Sequence, residues 1–549
     1  MDTMKLAALL LPEITDTPAQ IEAQYPSRNL GNKQYVTRFA PSPTGFIHIG
    51  GLFAALVCER FAHRSGGIFY LRIEDTDKKR EVEGGIAEIV NALAQFGILF
   101  DEGATQDGQE VGAYGRYKQS ERVNIYQTYA KQLIEKGLAY PCFCTEEQLN
   151  DIRQKQEALK LTPGYYGEWA AHRTLALAEI EQFLNDGKPF VLRLKAPENT
   201  DKKFEYNDSI RGKVEIVENT QDIVLLKSDG VPTYHFAHAI DDHLMRTTHV
   251  IRGDEWLSSL PIHLQLFAFL GFTPPQYAHI SPIMKMDGSS KRKLSKRKDP
   301  EAAVQYYHEQ GYPKQAVIEY LLTLANSNYE DWRRDNKQTA HTDFPFSLQK
   351  MSVSGALFDL AKLTDISKNL IAEMDADTVY QNTLQWAEQY DQKLYDVLVK
   401  HEAYTKQILA IGRGVQKPRK DISKWADVAH YLSYFYDELF DGQYEFPTHL
   451  EKQSMQKMLE QYSVMYDELD DNTGWFDKVK ALSESIGFVD MKTYKKDPTA
   501  YPGHVGDVST VIRVAVTGRQ NTPDLHTIMQ TLRQQKVLER LQLAVSALK

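Results

Sequence analysis

The alternation of apolar and polar positions near the start of the chain predicts a strand, a helix and a second strand. The strands are predicted at Val36–Phe39 and Ile68–Ile73. Between them, a loop rich in glycine and proline leads into the apolar run LFAALVCERFA, which has a Gly-Gly pair at each end and predicts a helix over Leu52–His63. Two strands joined by one helix and short connections form a βαβ unit, which implies a parallel sheet.

Helix and strand signals continue to alternate as far as about residue 300. After PCFC (Pro141–Cys144) the composition becomes charged and irregular, and strand-like segments return only further along the chain. The simplest fold is therefore one α/β domain interrupted by an α+β insertion of roughly a hundred residues. Helices are predicted at Gly85–Phe96 and Arg122–Lys136, and sheet-like segments at Pro189–Pro197, Asp222–Gly230, TYHFAHAIDD, THVIRGDEW and AHISPIMKM.

Beyond about residue 300 the apolar positions follow helical spacing instead. They recur at intervals of three and four residues, which places them on one face of a helix. The C-terminal third is therefore predicted to be all-α. The two clearest sets are Trp425, Val428, Leu432, Phe435 and Leu439, and then Leu538, Leu541, Val545 and Leu548.

Length and cysteine content restrict the class of protein. A chain of 549 residues is too long for one hydrophobic core, so several domains are expected. Three cysteines argue against a disulfide framework and predict a reducing compartment, the cytoplasm. The apolar run Leu6–Leu11 is too short to span a bilayer and is followed by proline and glutamate, so we expect no membrane segment and no signal peptide.

The charge is acidic overall but unevenly distributed. A net charge of −10 argues against a surface covered with nucleic-acid contacts, although it leaves room for a local basic surface. One such place is KMDGSSKRKLSKRK (Lys285–Lys298), which has seven basic residues and one aspartate. Its glycine and serines indicate a mobile loop, which could stabilise charge that develops on transferring phosphates. A solvated charged loop is the structural alternative.

The loop RFAPSPTGFIHIGG (Arg38–Gly51) is the first candidate for chemistry. A loop after the first strand of a parallel sheet lies at the carboxyl edge, where such sheets bind ligands. Its glycines allow the backbone to approach a ligand closely, and the helix N-terminus that follows favours phosphate. It matches neither of the two common phosphate-binding fingerprints. The alternative is a tight turn with His48 packed inside it.

The segment LRIEDTDKKRE (Leu71–Glu81) is the second candidate. A carboxylate at the end of the second strand, with Glu74 the best placed, could hold an ammonium group or a metal at the sheet edge. The structural alternative is capping of a following helix by Thr76 or Asp77.

Taken together, these segments resemble the class I aminoacyl-tRNA synthetases, and within that class the bacterial glutamyl-tRNA synthetase family. PSPTGFIHIGG is similar to the family's HIGH signature and KLSKR (Lys293–Arg297) to its KMSKS signature. RIEDTD, DGVPTYHFAHAIDDHLM and THVIRGDEW resemble other blocks of its catalytic domain. The resemblance continues through SVSGALFDLAKL and, more weakly, VIRVAVTGR, so it covers nearly everything from about residue 35 onwards.

The resemblance implies both an activity and an architecture. Family members activate L-glutamate with ATP, with Mg²⁺ expected, and transfer it to the terminal adenosine of tRNA(Glu); a cytoplasmic monomer is expected. The implied fold is a Rossmann-like parallel-sheet catalytic domain with an α+β insertion, followed by all-α domains. The domains are an N-terminal extension (1–34), the catalytic domain in two halves (35–113 and 222–299), an acceptor-binding insertion (114–221), a stem-contact domain (300–385) and an anticodon-binding domain (386–549).

The resemblance also assigns roles to individual residues. A site for glutamate should supply arginines for two carboxylates and one acid for the ammonium group. His48, Lys293 and Lys296 are implied as catalytic, and Arg419 in KPRKD as a tRNA contact, with a solvated loop as its alternative. Implied ATP contacts are Pro41, Thr44, Gly45, His48, Gly50, Gly51 and Lys296. Implied glutamate contacts are Arg38, Ala40, Ser42, Glu74, Tyr234, His238 and Arg252, although Tyr234 could be core and Arg252 a strand-end cap.

Zinc is a separate question for this chain. Some bacterial relatives bind zinc at the position of Cys142 and Cys144, but here Trp169 stands near where a third cysteine would fall. Two thiolates with His172 as the only nearby ligand make a poor tetrahedral site, so we expect no protein-bound metal.

Three alternative functions stay open at this point. The enzyme could be non-discriminating and also charge tRNA(Gln) with glutamate. The α/β domain could belong to a nucleotidyltransferase that makes an adenylate without RNA, although such a protein has little use for a long helical C-terminus. The chain could also be an inactive RNA-binding homologue, which the presence of His48, Lys293 and Lys296 argues against.

Overall fold

The computed structural model describes residues 2–77, 82–198, 202–295 and 297–549. The chain divides into two compact units, one of residues Met1–Tyr306 and Val317–Asp359 and one of residues Tyr307–Ala316 and Leu360–Lys549. None of the described helices combines the length and the apolar character that a membrane crossing requires.

Strands and helices alternate through the first part of the chain. The strands are β1 (Val36–Phe39), β2 (Ile68–Leu71), β3 (Gly103–Ala104), β4 (Glu110–Val111), β5 (Ala139–Cys142), β6 (Val191–Leu194), β7 (Lys203–Asp208), β8 (Gly212–Val217), β9 (Val224–Leu226), β10 (His249–Gly253), β11 (Gln276–Ile280), β12 (Met284–Asp287) and β13 (Ser290–Lys293). The helices are α1 (Thr3–Leu10), α2 (Pro18–Gln24), α3 (Ile49–Arg64), α4 (Gly85–Gln95), α5 (Val123–Glu135), α6 (Glu146–Ala158), α7 (Leu177–Asn185), α8 (Tyr234–Leu244), α9 (Leu260–Leu270), α10 (Val304–Gln310), α11 (Lys314–Ala325) and α12 (Tyr329–Asp335).

Two βαβ units form the centre of the first unit. Strand β1 pairs in parallel with β2 across α3, and β10 pairs in parallel with β11 across α9. The two pairs lie side by side, because the Thr248 N–H donates to the Val36 carbonyl at 3.0 Å just before β10 begins. The predicted first strand, helix and second strand are confirmed, and parallel pairing fits their short connections.

The segment TYHFAHAIDD is a helix and not a strand. It forms the start of α8, so the prediction of a sheet-like segment was wrong. Phe236, Ile240 and Leu244 are four residues apart and fully buried, which is helical spacing. The sequence did not reveal this helical period, because the polar residues His238 and Asp242 are also buried and interrupt the pattern of apolar positions.

The region predicted to be an insertion contains a small sheet and helices. Strands β5, β6 and β9 form an antiparallel sheet, with α6 and α7 between β5 and β6. Strand β9 therefore completes the sheet of the insertion, although it lies beyond the predicted boundary at residue 221. Strands β7 and β8 form a separate hairpin that packs against β11, where the Ser209 N–H donates to the Tyr277 carbonyl at 2.9 Å.

The N-terminal extension is packed against the first unit. Helix α1 buries Leu6 and Leu10 in the same hydrophobic core as residues of α5. Further along, both terminal nitrogens of Arg28 donate to the carboxylate of Glu102, at 2.7 and 2.9 Å. The extension is therefore part of the fold of this unit.

The regular elements of the second unit are helices, and its described residues add only one isolated β-bridge, between Val489 and His504. Its large core contains Trp425, Val428, Leu432 and Phe435, as predicted, although only Asp427–Leu432 of that stretch is an α-helix. The predicted C-terminal helix is confirmed and contains one non-helical residue, Arg533. The remaining helices are α13 (Leu360–Glu373), α14 (Ala376–Tyr390), α15 (Gln392–Lys400), α16 (Glu402–Leu409), α17 (Asp427–Leu432), α18 (Lys452–Met465), α19 (Asn472–Ser485), α20 (Met491–Tyr494), α21 (Val505–Thr517) and α22 (Leu525–Leu548).

Candidate active site

Two adjacent aspartates on α8 organise a buried group of arginines. The carboxylate of Asp242 accepts from Arg72 at 2.7 Å and from Arg38 at 3.3 Å. The carboxylate of Asp241 accepts from Arg122 at 2.8 Å, and Arg72 lies 3.7 Å from it. All five residues are at most 6% exposed. Arg72 and Arg38 outweigh the effect of burial and hold the pKa of Asp242 well below its ordinary value, so the carboxylate stays charged.

This group places Arg38 and Glu74 at the carboxyl edge of β1 and β2. Arg72 follows β2 and donates to the Glu74 carboxylate at 3.1 Å. Burial raises the pKa of Glu74, and the charges of Arg72 and Arg38 oppose that rise. The neighbouring Asp75 has a different role, because it accepts from the backbone N–H and the hydroxyl of Ser120 at 2.8 and 2.6 Å. Of the two acids, Glu74 is the one that could meet an ammonium group.

The helix-capping alternative for this segment stays a prediction, because the residues directly after Asp77 lie outside the described residues. The next helix in the described part of the chain is α4, which begins at Gly85 with Gly84 in the capping position. Thr76 and Asp77 therefore do not cap it. Residues 78–81, the end of the predicted segment, lie outside the described residues.

Arg252, at the end of β10, lies among aromatic and histidine side chains. Its guanidinium group is 4.7 Å from the centre of the Tyr277 ring. Its Nε donates to Nε2 of His279 at 3.1 Å, one terminal nitrogen donates to Nδ1 of His263 at 3.0 Å, and the other donates to the Trp256 carbonyl at 3.2 Å. Arg252 was predicted from the sequence, whereas both histidines were missed, because they stand in α9 and β11 without any motif around them.

Tyr234 links the two halves of the site. Its ring stacks against Trp256, with centroids 4.2 Å apart. Burial and then the charge of Glu74 raise the pKa of Tyr234 to about 12, whereas Arg252 and Arg38 lower it. The Tyr234 ring also lies 5.7 Å from the ring of His238, which contacts Asp242, and 5.8 Å from the ring of His263, which contacts Arg252.

His238 lies behind this group. It is fully buried, with Nδ1 2.9 Å from a carboxylate oxygen of Asp242 and Nε2 2.9 Å from the Tyr277 hydroxyl. Burial lowers the pKa of His238 to about 3, so the ring is neutral. Its ring nitrogens contact protein groups, which makes it a support for the site.

His48 begins helix α3 and is fixed by its own helix. Its Nδ1 accepts from the Gly50 N–H at 2.9 Å, so any hydrogen bond to a phosphate has to come from Nε2. A side chain at position 50 would place its Cβ 3.1 Å from that Nδ1, which explains why a small residue stands there. Gly45 has φ +117, a conformation that glycine adopts without strain.

The other predicted contacts in this loop are placed by backbone hydrogen bonds. The Pro41 carbonyl accepts from the Glu74 N–H at 3.0 Å, so the loop and the second candidate segment lie side by side. The Ser42 carbonyl accepts from the Thr44 N–H at 2.8 Å, and both side chains are exposed. Ala40 precedes them directly after β1, and Gly51 lies within the first turn of α3.

The KLSKR loop is anchored by one buried acid. Asp299, 2% exposed, accepts two hydrogen bonds from Arg292 at 2.6 and 2.8 Å and one from the Ser295 N–H at 2.9 Å. Lys293 is exposed at the end of β13. Lys296 lies outside the described residues, so its predicted role stays a prediction. Shortly after the loop, Ala303 pairs with His48 in an antiparallel bridge, which brings the two signature segments together.

Comparison with known proteins decides the family. Residues 34–365 match the model of the class I tRNA synthetases (E and Q), catalytic domain, and residues 502–545 match an anticodon binding domain. The chain is 52% identical over 546 residues to the glutamate–tRNA ligase of Clostridium perfringens (strain 13 / Type A), covering 98% of this chain and 100% of that protein. It is 50% identical to the glutamate–tRNA ligase of Acetivibrio thermocellus, covering 99% and 100%.

The chain belongs to the glutamate–tRNA ligase family of class I tRNA synthetases.

Solved structures of the glutamate–tRNA ligase family have the same fold. A glutamate tRNA ligase from Elizabethkingia meningosepticum CCUG26117, crystallised in complex with its amino acid, superposes with a TM-score of 0.73 at 29% sequence identity. The match covers 94% of this chain and 100% of that one. These comparisons confirm the recognition made from the HIGH-like and KMSKS-like segments.

The predicted tRNA contact Arg419 lies in the helical unit. Its guanidinium group forms two hydrogen bonds to Asp421, at 2.7 and 2.8 Å, and one to the Asn521 side chain at 3.2 Å. Nearby in sequence to Asn521, Arg519 donates to the Ser433 hydroxyl at 2.7 Å. The structure therefore brings KPRKD next to the segment that matches the anticodon binding domain.

The cysteine pair of this glutamate–tRNA ligase family member has a third neighbour but a competing hydrogen bond. Cys142, Cys144 and His172 each offer a ligand atom within 4.8 Å of the others, and the Tyr165 hydroxyl lies 3.4 Å from the Cys144 sulfur. However, Nδ1 of His172, 3.5 Å from that sulfur, accepts from the Phe143 N–H at 3.0 Å. Coordination through Nδ1 would leave that amide unpaired, so the donor set fits zinc poorly.

We therefore expect the purified protein to contain no stoichiometric zinc. The measurement is elemental analysis of protein expressed in zinc-supplemented medium, with Cys144→Ser as the matched control. One equivalent of zinc that disappears in Cys144→Ser would contradict this expectation.

Proposed function

We propose that the protein is a glutamate–tRNA ligase that activates L-glutamate with ATP and transfers it to the 3′-terminal adenosine of tRNA(Glu), releasing pyrophosphate and AMP. The observation that carries the proposal is a connected group of side chains, in which Asp242 and Arg72 join Arg38 to Glu74. Tyr234 packs against His238, which contacts Asp242, and against His263, which contacts Arg252. Family membership and the identity to curated glutamate–tRNA ligases support it.

The charges of the site match the charges of glutamate. The substrate carries two carboxylates and one ammonium group, for which Arg38 and Arg252 supply positive charge and Glu74 supplies negative charge. Tyr234, Ala40 and Ser42 complete the pocket, and His238 supports it from behind. A glutamine side chain would point an amide donor at an arginine donor and leave buried N–H groups unpaired, which disfavours glutamine.

Adenylate formation needs positioning and electrostatic stabilisation from the protein. A carboxylate oxygen of glutamate attacks the α-phosphorus of ATP and pyrophosphate leaves; in the second step the adenosine hydroxyl of the tRNA attacks the activated carbonyl and AMP leaves. The ATP contacts are Pro41, Thr44, Gly45, His48, Gly50 and Gly51, with the helix N-terminus of α3 directed at phosphate. Lys293 and Lys296 stabilise the leaving pyrophosphate.

Magnesium is expected to arrive with the nucleotide. Among the described residues, the only cluster with metal-ligand geometry is the cysteine and histidine group of the insertion, which has no hard oxygen ligands beyond a tyrosine. Mg²⁺, when bound with ATP, supplies further positive charge at the phosphates. The protein's own lysines and helix N-terminus remain the groups that orient them.

The tRNA is proposed to contact the regions that the sequence assigned to it. The insertion takes the acceptor end, residues 300–385 the stem, and the helical region 386–549 the anticodon, with Arg419 as one contact. The match to an anticodon binding domain at residues 502–545 supports the last assignment. Arg419 would exchange Asp421 for a base edge or a phosphate, both of which suit its planar fork.

Aminoacylation with purified tRNAs tests the proposal. We expect labelled glutamate to be transferred to tRNA(Glu) in an ATP-dependent reaction. Transfer to tRNA(Gln) as well would show the non-discriminating alternative. Adenylate formation, measured by ATP–pyrophosphate exchange, without charging of either tRNA would contradict the proposal and identify a nucleotidyltransferase.

The raised pKa of Glu74 gives a pH-dependent prediction. Lowering the pH from neutral protonates this buried carboxylate earlier than an exposed glutamate and removes its attraction for the ammonium group. The KM for glutamate should therefore rise as the pH falls in the wild type. In Glu74→Gln it should be about 10- to 100-fold higher and independent of pH over that range, as expected for the loss of a charge-assisted hydrogen bond.

The matched control for this prediction is Glu83→Gln, which removes an exposed carboxylate just beyond that segment. It should leave the KM for glutamate and its pH dependence unchanged. A wild-type pH dependence that persists in Glu74→Gln would show that another group contacts the ammonium.

A further inference from the structure

The hydrogen bonds of Arg252 are almost fully specified by the protein. A guanidinium group has five N–H donors. Among the described residues, His279, His263 and the Trp256 carbonyl accept three of them. One N–H on each terminal nitrogen is left, and a carboxylate can accept hydrogen bonds from two N–H groups of one guanidinium. The rotation of the guanidinium plane therefore determines where a carboxylate can bind.

The acceptor that His279 offers to Arg252 depends on Asp208. Nδ1 of His279 lies 2.7 Å from a carboxylate oxygen of Asp208, and both side chains are fully buried. An ionised carboxylate only accepts hydrogen bonds, so Nδ1 has to carry the proton. Burial lowers the pKa of His279, so the ring is neutral and its Nε2 keeps a lone pair for Arg252.

Asp208 is held in its charged form by its surroundings. It ends β7, and its carboxylate accepts from the backbone N–H groups of Ile210 and Arg211, both at 2.9 Å. Burial raises the pKa of Asp208, but the hydrogen bonds from His279 and the backbone outweigh it and bring the pKa below its ordinary value. The residue lies in the hairpin of the insertion, outside the βαβ units that carry Arg252.

His263, the second histidine that contacts Arg252, is arranged in the same way as His279. Nδ1 of His263 accepts from Arg252, so Nε2 carries the proton and donates to Nδ1 of His235 at 2.9 Å. Burial lowers the pKa of both rings, that of His235 to about 4. Neither His279 nor His263 therefore places a positive charge against the guanidinium group. Each directs the lone pair of one ring nitrogen at it.

We propose that Asp208 and His279 are positioning residues that fix the guanidinium plane of Arg252, and that they thereby set the discrimination between glutamate and glutamine. This inference rests on the proposed function, and of the two arginines given there to the carboxylates of glutamate it assigns Arg252 to the side-chain carboxylate. A fixed guanidinium group presents two donors to any ligand, and a glutamine amide can satisfy only one of them. A guanidinium group that can turn loses this selectivity, because its second donor then finds another partner.

The decisive variant is Asp208→Asn. Asparagine keeps the shape and the oxygen that accepts from Ile210 and Arg211, but it can direct an NH₂ group at Nδ1 of His279. The ring then takes the other tautomer, and its Nε2–H faces the Nε–H of Arg252, as two donors without an acceptor. We expect the KM for glutamate to rise about tenfold and the glutamate-to-glutamine ratio of kcat/KM to fall about tenfold, as for one lost hydrogen bond to a charged group. The KM for ATP should not change, whereas the melting temperature should fall, because the unpaired buried donors also destabilise the fold.

A double-mutant cycle separates positioning from a general structural effect. In His279→Gln the side-chain amide can present its oxygen to Arg252 without help from Asp208. Adding Asp208→Asn to His279→Gln should therefore change the KM for glutamate less than about twofold, since the two residues act as one unit. Equal effects of Asp208→Asn in both backgrounds would overturn the proposal.

Further variants keep the test valid if Asp208→Asn folds poorly. His279→Leu removes the acceptor and should raise the KM for glutamate, whereas His279→Gln should stay close to the wild type. Glu205→Gln removes an exposed carboxylate on the same strand, where it pairs with Lys213, and should change nothing. Equal behaviour of the leucine and glutamine variants would also overturn the proposal.

A spectroscopic readout separates this inference from the proposed function. With ¹⁵N-labelled histidine, the ring signal that is missing in His279→Gln identifies His279, and its two ¹⁵N shifts report the tautomer. We expect Nδ1–H in the wild type and Nε2–H in Asp208→Asn. A wild type that does not activate glutamate would disprove the function while leaving the tautomer switch testable. An unchanged tautomer in Asp208→Asn would disprove the switch.

Discussion

The pairing of two adjacent aspartates on α8 with three buried arginines is the interaction on which the catalytic unit depends. Asp241 and Asp242 connect β1 through Arg38, the end of β2 through Arg72, and the start of α5 through Arg122. Such charges are costly to bury and very costly to leave unpaired, by about 3–5 kcal/mol when one partner is removed. The network therefore requires all of these elements to be in place together.

The same network prepares the site for its substrate. Arg38 and Glu74 are both held by members of the network, so they are oriented before a ligand arrives. The positive charges of the three arginines are balanced inside the protein by the negative charges of Asp241, Asp242 and Glu74. No counter-ion from solvent is needed. Arg252 adds one positive charge to this balanced group, and the proposed substrate, with two carboxylates and one ammonium group, would neutralise it.

The sequence predicted those parts of the molecule whose signals are local. The first βαβ unit follows from glycine pairs around one apolar run, and the recognition of the family follows from short ordered segments such as IHIGG and KLSKR. Helix α8 was missed because its buried polar residues broke the apolar period. His279 and Asp208 were missed because they are 71 positions apart and meet only after the insertion folds against β11. Asp299 was missed because an acid directly after a basic run gives no sign that it will be buried beneath the loop.

A crystal structure with a non-hydrolysable analogue of glutamyl-adenylate tests most directly the central claim, that Arg38, Glu74 and Arg252 form one pocket for glutamate. We expect the ammonium group of the analogue within hydrogen-bond distance of Glu74, its side-chain carboxylate on the two remaining N–H groups of Arg252, and its adenosine beside His48. An analogue whose amino acid binds away from Tyr234, or whose side-chain carboxylate does not contact Arg252, would contradict the claim.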